Sequence, residues 1–447
     1  MFGLMGVARS SGQPGDSGPA LLTVPTGFNW TPPINIYRSS AGVYSTDYDP
    51  TPFLVEGAPG VTTYYVDSAT GSAGNPGTAA SPKAALVAIS AGRISKLLIK
   101  ARGKFYGGVT SPIQMGHDEL CVEAWGGAAC LITTEPAPTF PMVWTDETGG
   151  VWSAPSPQTL QNGIAVYSGT DVETAVRYTL AASLAACQAT PGTFFRETGP
   201  IKHYVHTLDG TSPATGHLII GTNSSAQAIN VSSFAYAQRV QFHGVDFRGG
   251  NTAFSILGDS AFTKTIELIN CTFKLADNFG ALNCSGTSTV ITYGCTAGPT
   301  RFDGFSYSTA SGGVGGNVVK SFEINNIGRN CGITSAANQG STTHFTGQAV
   351  RVNCQYYENA NDQVADVGAN TRSWNLGCTF GPHGIGTTNY VGVQAGNDGT
   401  DVRIWLDGCT FDDVAYEVSA ASGGTIYYKN MTAPAVEPSS TGTVTTY

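Results

Sequence analysis

One stretch of the chain concentrates side chains that could take part in acid–base chemistry. Its candidate groups are His344, Arg351, Glu358, Asp362 and Asp366, and Asp303 stands further upstream. Two carboxylates can cleave a glycosidic bond as general acid and general base, and a base beside a cation can support β-elimination. These six residues are therefore the candidate catalytic groups for bond cleavage by acid–base chemistry.

The spacing of Asp303 and Asp362 predicts that they face the same side. Each lies eight residues after a repeated position of the chain, Cys295 and Cys354 respectively. If these positions stack, the two aspartates lie two coils apart, at about 10 Å, close to the upper range for an inverting pair. The alternative is structural, because Asp in tight turns usually binds neighbouring backbone.

Three other charged candidates have equally simple alternatives. His344 follows two threonines and can be a polar turn residue. Arg351 stands between two valines, which predicts that it points outward as a solvated strand residue. A second acidic patch near Trp405 can likewise be turn chemistry; it comprises Asp407, Asp412 and Asp413.

A short repeat must position these groups. Its central residue, here called the anchor, is apolar and returns every 22 to 32 residues, at Val245, Cys271, Cys295, Ile327, Cys354, Cys378, Cys409 and Met431. Gly or Asn precedes every anchor, and these residues accept a left-handed backbone at least cost. An aromatic residue follows two positions later in five coils, at Phe247, Phe273, Tyr356, Phe380 and Phe411. The repeat therefore predicts one tight corner per coil, followed by a strand with one buried face.

The chain is accordingly predicted to be an all-β, right-handed parallel β-helix, a solenoid whose core grows with length. Apolar residues precede most anchors by five and three positions, as in Val240 and Phe242. Two consecutive coils use minus four and minus two instead, Val350/Val352 and Trp374/Leu376. We expect a β-bulge there, which would re-aim side chains.

Four segments follow from the distribution of the repeat. Residues 1–60 are rich in Gly, Pro and Ser and are predicted to be a separate N-terminal attachment arm or small domain. Residues 61–235 would hold the first coils with long loops or an inserted lobe. First strands are expected at Lys96–Lys100 and Leu120–Ala124. Residues 236–433 would be the regular coils and 434–447 a C-terminal tail.

Composition excludes several classes of protein. The net charge is −9 with no Lys/Arg cluster, so nucleic-acid binding lacks an electrostatic basis. No apolar run approaches the roughly 18 residues of a membrane span, and Met1–Gly18 does not resemble a secretory signal. The ten cysteines are expected to be buried free thiols rather than disulfides, because the anchors give most of them a core position.

Aromatic residues could supply faces on which sugars stack. The candidates for substrate binding are Tyr307, Tyr357, Tyr390 and Trp405. The seven histidines are scattered without ligand spacing, so no metal site is predicted. The Gly-rich stretch near residue 313 does not open a helix, and no cofactor is expected.

The segment Tyr65–Thr78, the following Ser81-Pro82 and the Asn/Gly-Cys-Thr-Phe coils resemble pectate-lyase-like β-helix proteins over residues 64–433. Within that group the chain is most similar to phage tailspikes and other virion receptor-binding spikes. The resemblance implies a capping helix over Ala84–Leu98 that closes the first end of the solenoid, and a homotrimer that binds, and possibly cleaves, host surface polysaccharide. It also implies attachment to other virion proteins through the N-terminal arm, after assembly in the host cytoplasm. No separate trimerisation domain follows Met431, which departs from the tailspike pattern.

Two other functions remain open from the sequence. A secreted polysaccharide lyase or hydrolase would use the same fold and the same acids. A structural decoration or adhesin would bind without catalysis.

Overall fold

The fold is a parallel β-helix, which confirms the fold class expected from the repeat. The computed structural model describes residues 18–89, 92–107, 113, 116–138, 141–156, 163–198, 201–222, 227–231, 237–257, 264–286, 288–309, 318–333, 338–384, 391–396 and 401–447. Three parallel sheets run along the solenoid, and each regular coil contributes one strand to each sheet. Among the described residues, no helix has the length and hydropathy needed to cross a membrane.

Sheet 1 runs the full length of the solenoid. Its strands are Val61–Asp67, Lys96–Tyr106, Glu119–Ala124, Gln238–His243, Lys264–Ile269, Ser288–Tyr293, Lys320–Ile324, Gln348–Val352, Arg372–Leu376, Arg403–Asp407, Thr425–Lys429 and Thr443–Thr446. Sheet 2 begins with the second half of Lys96–Tyr106 and continues with Cys130–Thr133, Val245–Arg248, Thr272–Lys274, Thr296–Ala297, Ile327–Arg329, Gln355–Tyr357, Thr379–Phe380 and Thr410–Phe411. Sheet 3 contains Gln227–Val231, Thr252–Leu257, Leu282–Ser285, Phe305–Ser308, Ser341–His344, Val364–Val367, Val391–Ala395 and Tyr416–Ala420.

The corner between sheets 1 and 2 is made by left-handed residues, as the repeat predicts. Positive φ values occur at Gly244, Asn270, Gly294, Asn325, Asn353, Gly377, Gly408 and Asn430. One coil differs from the prediction, because its bend is at Asn325 (φ 54°) and not at Asn326. The buried Asn326 therefore takes the anchor position, and Ile327 moves to the outward position beside Thr296 and Gln355.

The anchors form an inner column of thiols. All ten cysteines are unpaired and buried, as expected. Several anchor thiols donate to a carbonyl of the preceding coil, as Cys295 Sγ does to Leu268 O at 3.2 Å. Asn326 replaces a thiol with an amide that accepts the N–H of Cys295 at 2.9 Å and donates to Thr292 Oγ1 at 2.5 Å. The amide satisfies its own polar atoms, so it fits a column that is otherwise apolar.

The predicted capping helix is not formed. Within Ala84–Leu98, the described residues 84–89 and 92–98 contain a single 3-10 turn, Leu86–Ala88, and a strand of sheet 1 begins at Lys96. Gly92 and the β-branched Val87, Ile89 and Ile94 disfavour a longer helix. Leu86 and Ile89 are nevertheless buried against the first coils and close the end of the core.

A lobe is inserted between the strands Cys130–Thr133 and Gln227–Val231. The lobe comprises residues 141–221, and its described residues (141–156, 163–198 and 201–221) form two further sheets and one short helix. Its elements are Thr145–Asp146, Val151–Pro155, Ile164–Ser168, Val176–Arg177, Thr179–Leu180, the α-helix Leu184–Ala189, Thr193–Thr198, Ile201–His206 and His217–Gly221. The lobe lies against sheet 2, where Arg177 pairs with Asp277 through two hydrogen bonds of 2.7 and 3.1 Å.

Sheet 1 contains no β-bulge in the coils where the spacing of the apolar residues changes. Instead, polar and apolar side chains exchange the inward and outward positions of the strands. The strands pair in unbroken register, with Phe242, Leu268, Thr292, Glu323, Arg351, Asn375 and Leu406 in one inward column. The adjacent outward column reads Gln241, Glu267, Ile291, Phe322, Val350, Trp374 and Trp405. In the middle coils, polar residues therefore face the core, and apolar residues face away from it.

The N-terminal segment covers this outward apolar surface. Residues 18–60, here called the strap, form a small antiparallel sheet of Ala20–Leu21, Ile36–Arg38 and Tyr44–Thr46. Phe28 lies with ring centroids 6.4 Å from Trp374 and 5.9 Å from Trp405. Tyr44 donates a hydrogen bond of 2.7 Å to Asp407. The described part of the predicted arm is thus not separate from the coils, because the exchanged alternation leaves an apolar surface that must be buried.

We predict that Phe28→Ala lowers the free energy of unfolding by about 3–5 kcal/mol, since it removes a buried ring between two tryptophans. Phe28 is 7% exposed, whereas Val43 of the same strap is 63% exposed. Val43→Ala should therefore change the stability by less than about 0.5 kcal/mol. Chemical denaturation followed by tryptophan fluorescence measures both variants. Equal effects would show that the strap does not hold its place through Phe28.

Candidate functional site

The exchanged alternation encloses a charged cluster inside the solenoid. The guanidinium of Arg351 pairs with both oxygens of Asp366 at 2.9 and 3.0 Å, and its Nε donates to Glu323 at 3.1 Å. All three side chains are 0% exposed. Further hydrogen bonds within the cluster come from Ser341, Thr343, Tyr356 and Asn375. Burial disfavours the charged guanidinium, but Asp366 and Glu323 together raise the pKa of Arg351 well above its usual value.

This placement corrects two predicted site residues. Arg351 was expected to point outward between Val350 and Val352, but the valines point outward and Arg351 points into the core. Asp366 lies in the inward column of sheet 3 and is saturated by Arg351. Neither side chain can touch a polymer outside the coils, so both act as core residues.

Asp303 and Asp362 lie in one column, two coils apart, as their spacing predicted. Gln339 stands between them, each residue being two positions before its strand of sheet 3. Both carboxylates accept a backbone N–H from the next coil, from Gln339 at 3.0 Å and from Val391 at 3.2 Å. Burial raises the pKa of each to about 7, against the opposing effect of the hydrogen bond. Asp362 is only 3% exposed, and the geometry supports the structural alternative for this pair.

Two of the predicted sugar-stacking residues are core residues. Tyr307 is 0% exposed and points inward from sheet 3, between Cys284 and Thr343. Trp405 is 2% exposed beneath the strap and stacks on Tyr427 with ring centroids 5.2 Å apart. Both were predicted as exposed faces because a short strand does not reveal which of its sides is covered. Tyr390 lies outside the described residues.

His344 lies on the opposite face of sheet 3 from the inward-pointing Asp366. It is half-buried on sheet 3, in register with Ser308 and Val367. Its Nε2 shares a hydrogen bond of 3.0 Å with Thr342 Oγ1. The structure therefore does not bring His344 together with Glu358, which follows a strand of sheet 2.

A second column of left-handed residues forms the corner after sheet 2 and presents two acids to solvent. Positive φ occurs at Gly249, Leu275, Asn330, Glu358 and Asp413. The N–H of Glu358 donates to Pro382 O, and the Phe380–Phe411 register places Asp413 beside Pro382 on the other side. Glu358 and Asp413 are thus two coils apart, about 10 Å between their Cα atoms, and both are exposed.

His383 lies in the coil between these acids and is positioned from inside. Its Nδ1 accepts a hydrogen bond of 3.2 Å from the Gln363 amide, so the neutral ring carries its proton on Nε2. Gln363 is itself held by Asn359 at 2.7 Å. Burial lowers the pKa of His383, while the Asp413 carboxylate acts in the opposite direction. A neutral, oriented imidazole thus stands between two exposed carboxylates.

The surrounding surface is a polar strip of sheet 2 with an aromatic residue at one end. Tyr357 is half-buried and points outward beside Arg329 and Gly381. Glu173 of the lobe pairs with Lys274 and Arg329, each at 2.6 Å, so the lobe covers sheet 2 as far as Arg329. The outward residues beyond it are exposed or half-buried, at Gln355, Thr379, Thr410 and Asp412. The lobe therefore forms a wall at one end of an open strip.

The spacing of the repeat contained a signal for this surface. Glu358 and Asp413 each lie four residues after an anchor, Cys354 and Cys409, and Pro382 lies four after Cys378. Glu358 was predicted as catalytic, Asp413 only as part of an acidic patch, and His383 was missed. No three His, Cys, Asp or Glu side chains in the described part of the chain are placed to ligate a metal ion.

Similarity to known proteins is found at the level of structure. No family model and no curated protein matches the chain. Among solved structures it is similar to a complex of XylC with xylose, with 10% identity and a TM-score of 0.49 over 83% of this chain and 75% of that one. A glycoside hydrolase matches with 9% identity and a TM-score of 0.46 over 82% and 96% of the chains. The Gp54 tailspike of Acinetobacter baumannii bacteriophage AP22, in complex with capsular saccharide, matches with 11% identity and a TM-score of 0.19 over 79% and 64%. At these identities the likeness concerns the fold and not the activity.

We predict that Arg351→Met lowers the free energy of unfolding by about 3–5 kcal/mol, because it leaves Glu323 and Asp366 as unpaired buried charges. Arg93→Met serves as the control, since Arg93 is 55% exposed in its pair with Asp118 and should contribute less than about 1 kcal/mol. Denaturant titration of both variants measures the difference. A loss below about 1 kcal/mol for Arg351→Met would contradict a closed charged cluster.

The raised pKa of Asp362 predicts a pH-dependent stability. Its folded-state pKa of about 7 lies above the ordinary aspartate value of 3.8, so the folded protein binds this proton more tightly than the unfolded chain. The free energy of unfolding should therefore fall as pH rises from about 4 to about 7, by up to about 1.4 kcal/mol per pH unit.

Asp362→Asn keeps the acceptor for the Val391 N–H but cannot ionise, and it should remove this dependence. Relative to wild type, the variant should gain stability steadily between about pH 4 and about pH 7. Guanidinium unfolding across this range measures the trend. A curve for Asp362→Asn that runs parallel to wild type would contradict the burial of Asp362.

Proposed function

We propose that the protein binds an extended glycan along the open strip of sheet 2 and hydrolyses it between Glu358 and Asp413. The observation that carries this proposal is the pairing of two exposed carboxylates in one column, two coils apart, beside the outward-facing Tyr357. A glycan chain is itself elongated, and a flat strip of sheet offers it several consecutive contact positions. Tyr357 supplies an apolar ring face for a sugar, with its hydroxyl at the wet edge.

The separation of the acids favours one stereochemical course. A retaining hydrolase needs its carboxyl groups about 5–5.5 Å apart, and an inverting one about 6.5–9.5 Å, to admit a water. Two rungs of a parallel sheet separate backbone positions by about 10 Å, and side-chain rotation can bring the carboxyl groups into the longer range. Inversion of configuration is therefore the proposed outcome.

Glu358 and Asp413 are better placed for this reaction than Asp303 and Asp362. The two pairs have the same two-coil spacing, but the second pair is occupied by backbone N–H groups and Asp362 is almost fully buried. His383 Nε2 is buried, so His383 takes no part in the proposed proton transfers to the glycan or the water. Its orientation through Gln363 and Asn359 keeps it between the acids.

We also propose, from the resemblance of the sequence, that the protein is a spike of a virion and acts outside the host cell as a homotrimer. Support comes from the elongated coil array. The strap packs against the coils. The residues before it, 1–17, are therefore the proposed link to other virion proteins. Mass measurement of the native protein and its detection in purified particles test this proposal; a monomer absent from particles would favour a free enzyme.

Glu358→Gln and Asp413→Asn should each lower hydrolysis by at least about 100-fold, since each removes one acid–base group. Capsule and lipopolysaccharide preparations from candidate hosts are the substrates, and newly formed reducing ends are the readout. Unsaturated uronates, measured in parallel, would instead reveal β-elimination. Asp118→Asn, a change of a partly exposed acid at the start of sheet 1, should leave the rate unchanged.

Tyr357→Ala should weaken glycan binding about tenfold while the protein stays folded. Asp303 and Asp362 would instead be the catalytic pair if two results were obtained together. Glu358→Gln or Asp413→Asn would keep full hydrolytic activity, and Asp303→Asn and Asp362→Asn would lose it. Binding by wild type without new reducing ends or unsaturated products would identify a non-catalytic adhesin.

A further inference from the structure

The inserted lobe carries a second group of polar side chains that the proposed function does not use. The strands Val151–Pro155, Thr193–Thr198 and Ile201–His206 pair so that His203 lies opposite Ala154 on one side and Arg196 on the other. Strand alternation places Trp152, Ala154 and Ser156 on the same face as His203 and Arg196. Ala154 belongs to the buried core of the lobe, so this face points inward.

These side chains contain buried polar atoms without hydrogen-bond partners. They are Ser156 Oγ, Trp152 Nε1, Arg196 Nε and both ring nitrogens of His203. His203 is 0% exposed. An unpartnered buried polar group costs about 1–3 kcal/mol, and neighbouring groups of this kind on one face call for a physical reason.

Their chemistry is that of hydrogen-bond donors. The indole and guanidinium N–H groups can only donate, a neutral imidazole donates from one nitrogen, and the serine hydroxyl can donate. Arg196 forms no ion pair in the described structure, whereas the lobe's Arg177 and Lys202 pair with Asp277 and Glu147. Burial and the charge of Arg196 lower the pKa of His203 to about 4, so at neutral pH Arg196 supplies the positive charge.

We propose that the lobe binds one oxyanion group between Arg196, His203 and Ser156, with the Trp152 N–H at the inner end. A carboxylate, sulfate or phosphate oxygen would satisfy several of these donors at once, and pairing with Arg196 offsets the cost of burying its charge. Arg196 is only partly buried, so the site opens at its guanidinium. The site faces the core of the lobe, and it does not depend on the glycan strip of sheet 2.

The test is thermal unfolding of the full chain in sodium sulfate, phosphate, acetate or glucuronate, against chloride at equal ionic strength. A ligand that binds only the folded state raises Tm, and we expect at least about 2 °C. A rise with sulfate and phosphate alone assigns a tetrahedral anion, and a rise with acetate and glucuronate alone assigns a carboxylate. No rise above chloride with any of the four anions overturns the proposal.

Variants separate the site from general salt effects. Arg196→Gln and His203→Phe should each remove the anion-specific rise, and His203→Phe also removes both unpartnered nitrogens, so its fold should be retained. Lys202→Gln is the matched control, because Lys202 lies beside His203 in the same strand but on the opposite face, paired with Glu147 at 2.9 Å. Its anion response should equal that of wild type. An unchanged response in Arg196→Gln, or an equal loss in Lys202→Gln, overturns the assignment.

Discussion

The in-register stacking of sheet 1 is the constraint on which the rest of the structure depends. Parallel strands cannot slip by one residue without turning every side chain to the opposite face. When the middle coils exchange their apolar and polar positions, the register is kept and two consequences follow together. Glu323 and Arg351 enter the core and need partners there, and Phe322, Val350 and Trp374 face outward and need a cover. The charged cluster and the strap thus both follow from one change in the alternation of polar and apolar residues in sheet 1.

The sequence was sufficient for the coils because the anchor column combines three signals: a left-handed residue, a small apolar residue and an aromatic residue. It misplaced one coil, since Asn325 and Asn326 are both able to bend and only tertiary pairing selects Asn325. In the sequence, the exchange of faces appears as a change in the spacing of the apolar residues, from five to four positions before the anchor. A bulge and an inversion give the same shift in a linear pattern, and only the presence of the strap distinguishes them.

The candidate site was partly predictable for the same reason. Equal distances from an anchor identify residues of one column, and this holds for Asp303 and Asp362 and also for Glu358 and Asp413. The distance from an anchor does not show which column of residues is covered by the rest of the protein. Asp362 is enclosed because its carboxylate accepts the N–H of Val391, whereas Asp413 lies on the outer side of the corner. His383 depends on two buried amides, Gln363 and Asn359, whose contacts are long-range and leave no periodic trace.

The strap also changes how the solenoid can come apart. In a simple stack of coils each unit contacts only its neighbours, so the terminal coils fray one at a time. Here Phe53 donates to Gln241 near the first coils, and Tyr44 donates to Asp407 near the last ones. A single segment therefore links an early coil to a late coil of the array, so the coils between Gln241 and Asp407 are expected to open together. Such long-range closure implies slow folding and a folded state that persists through kinetic resistance to opening.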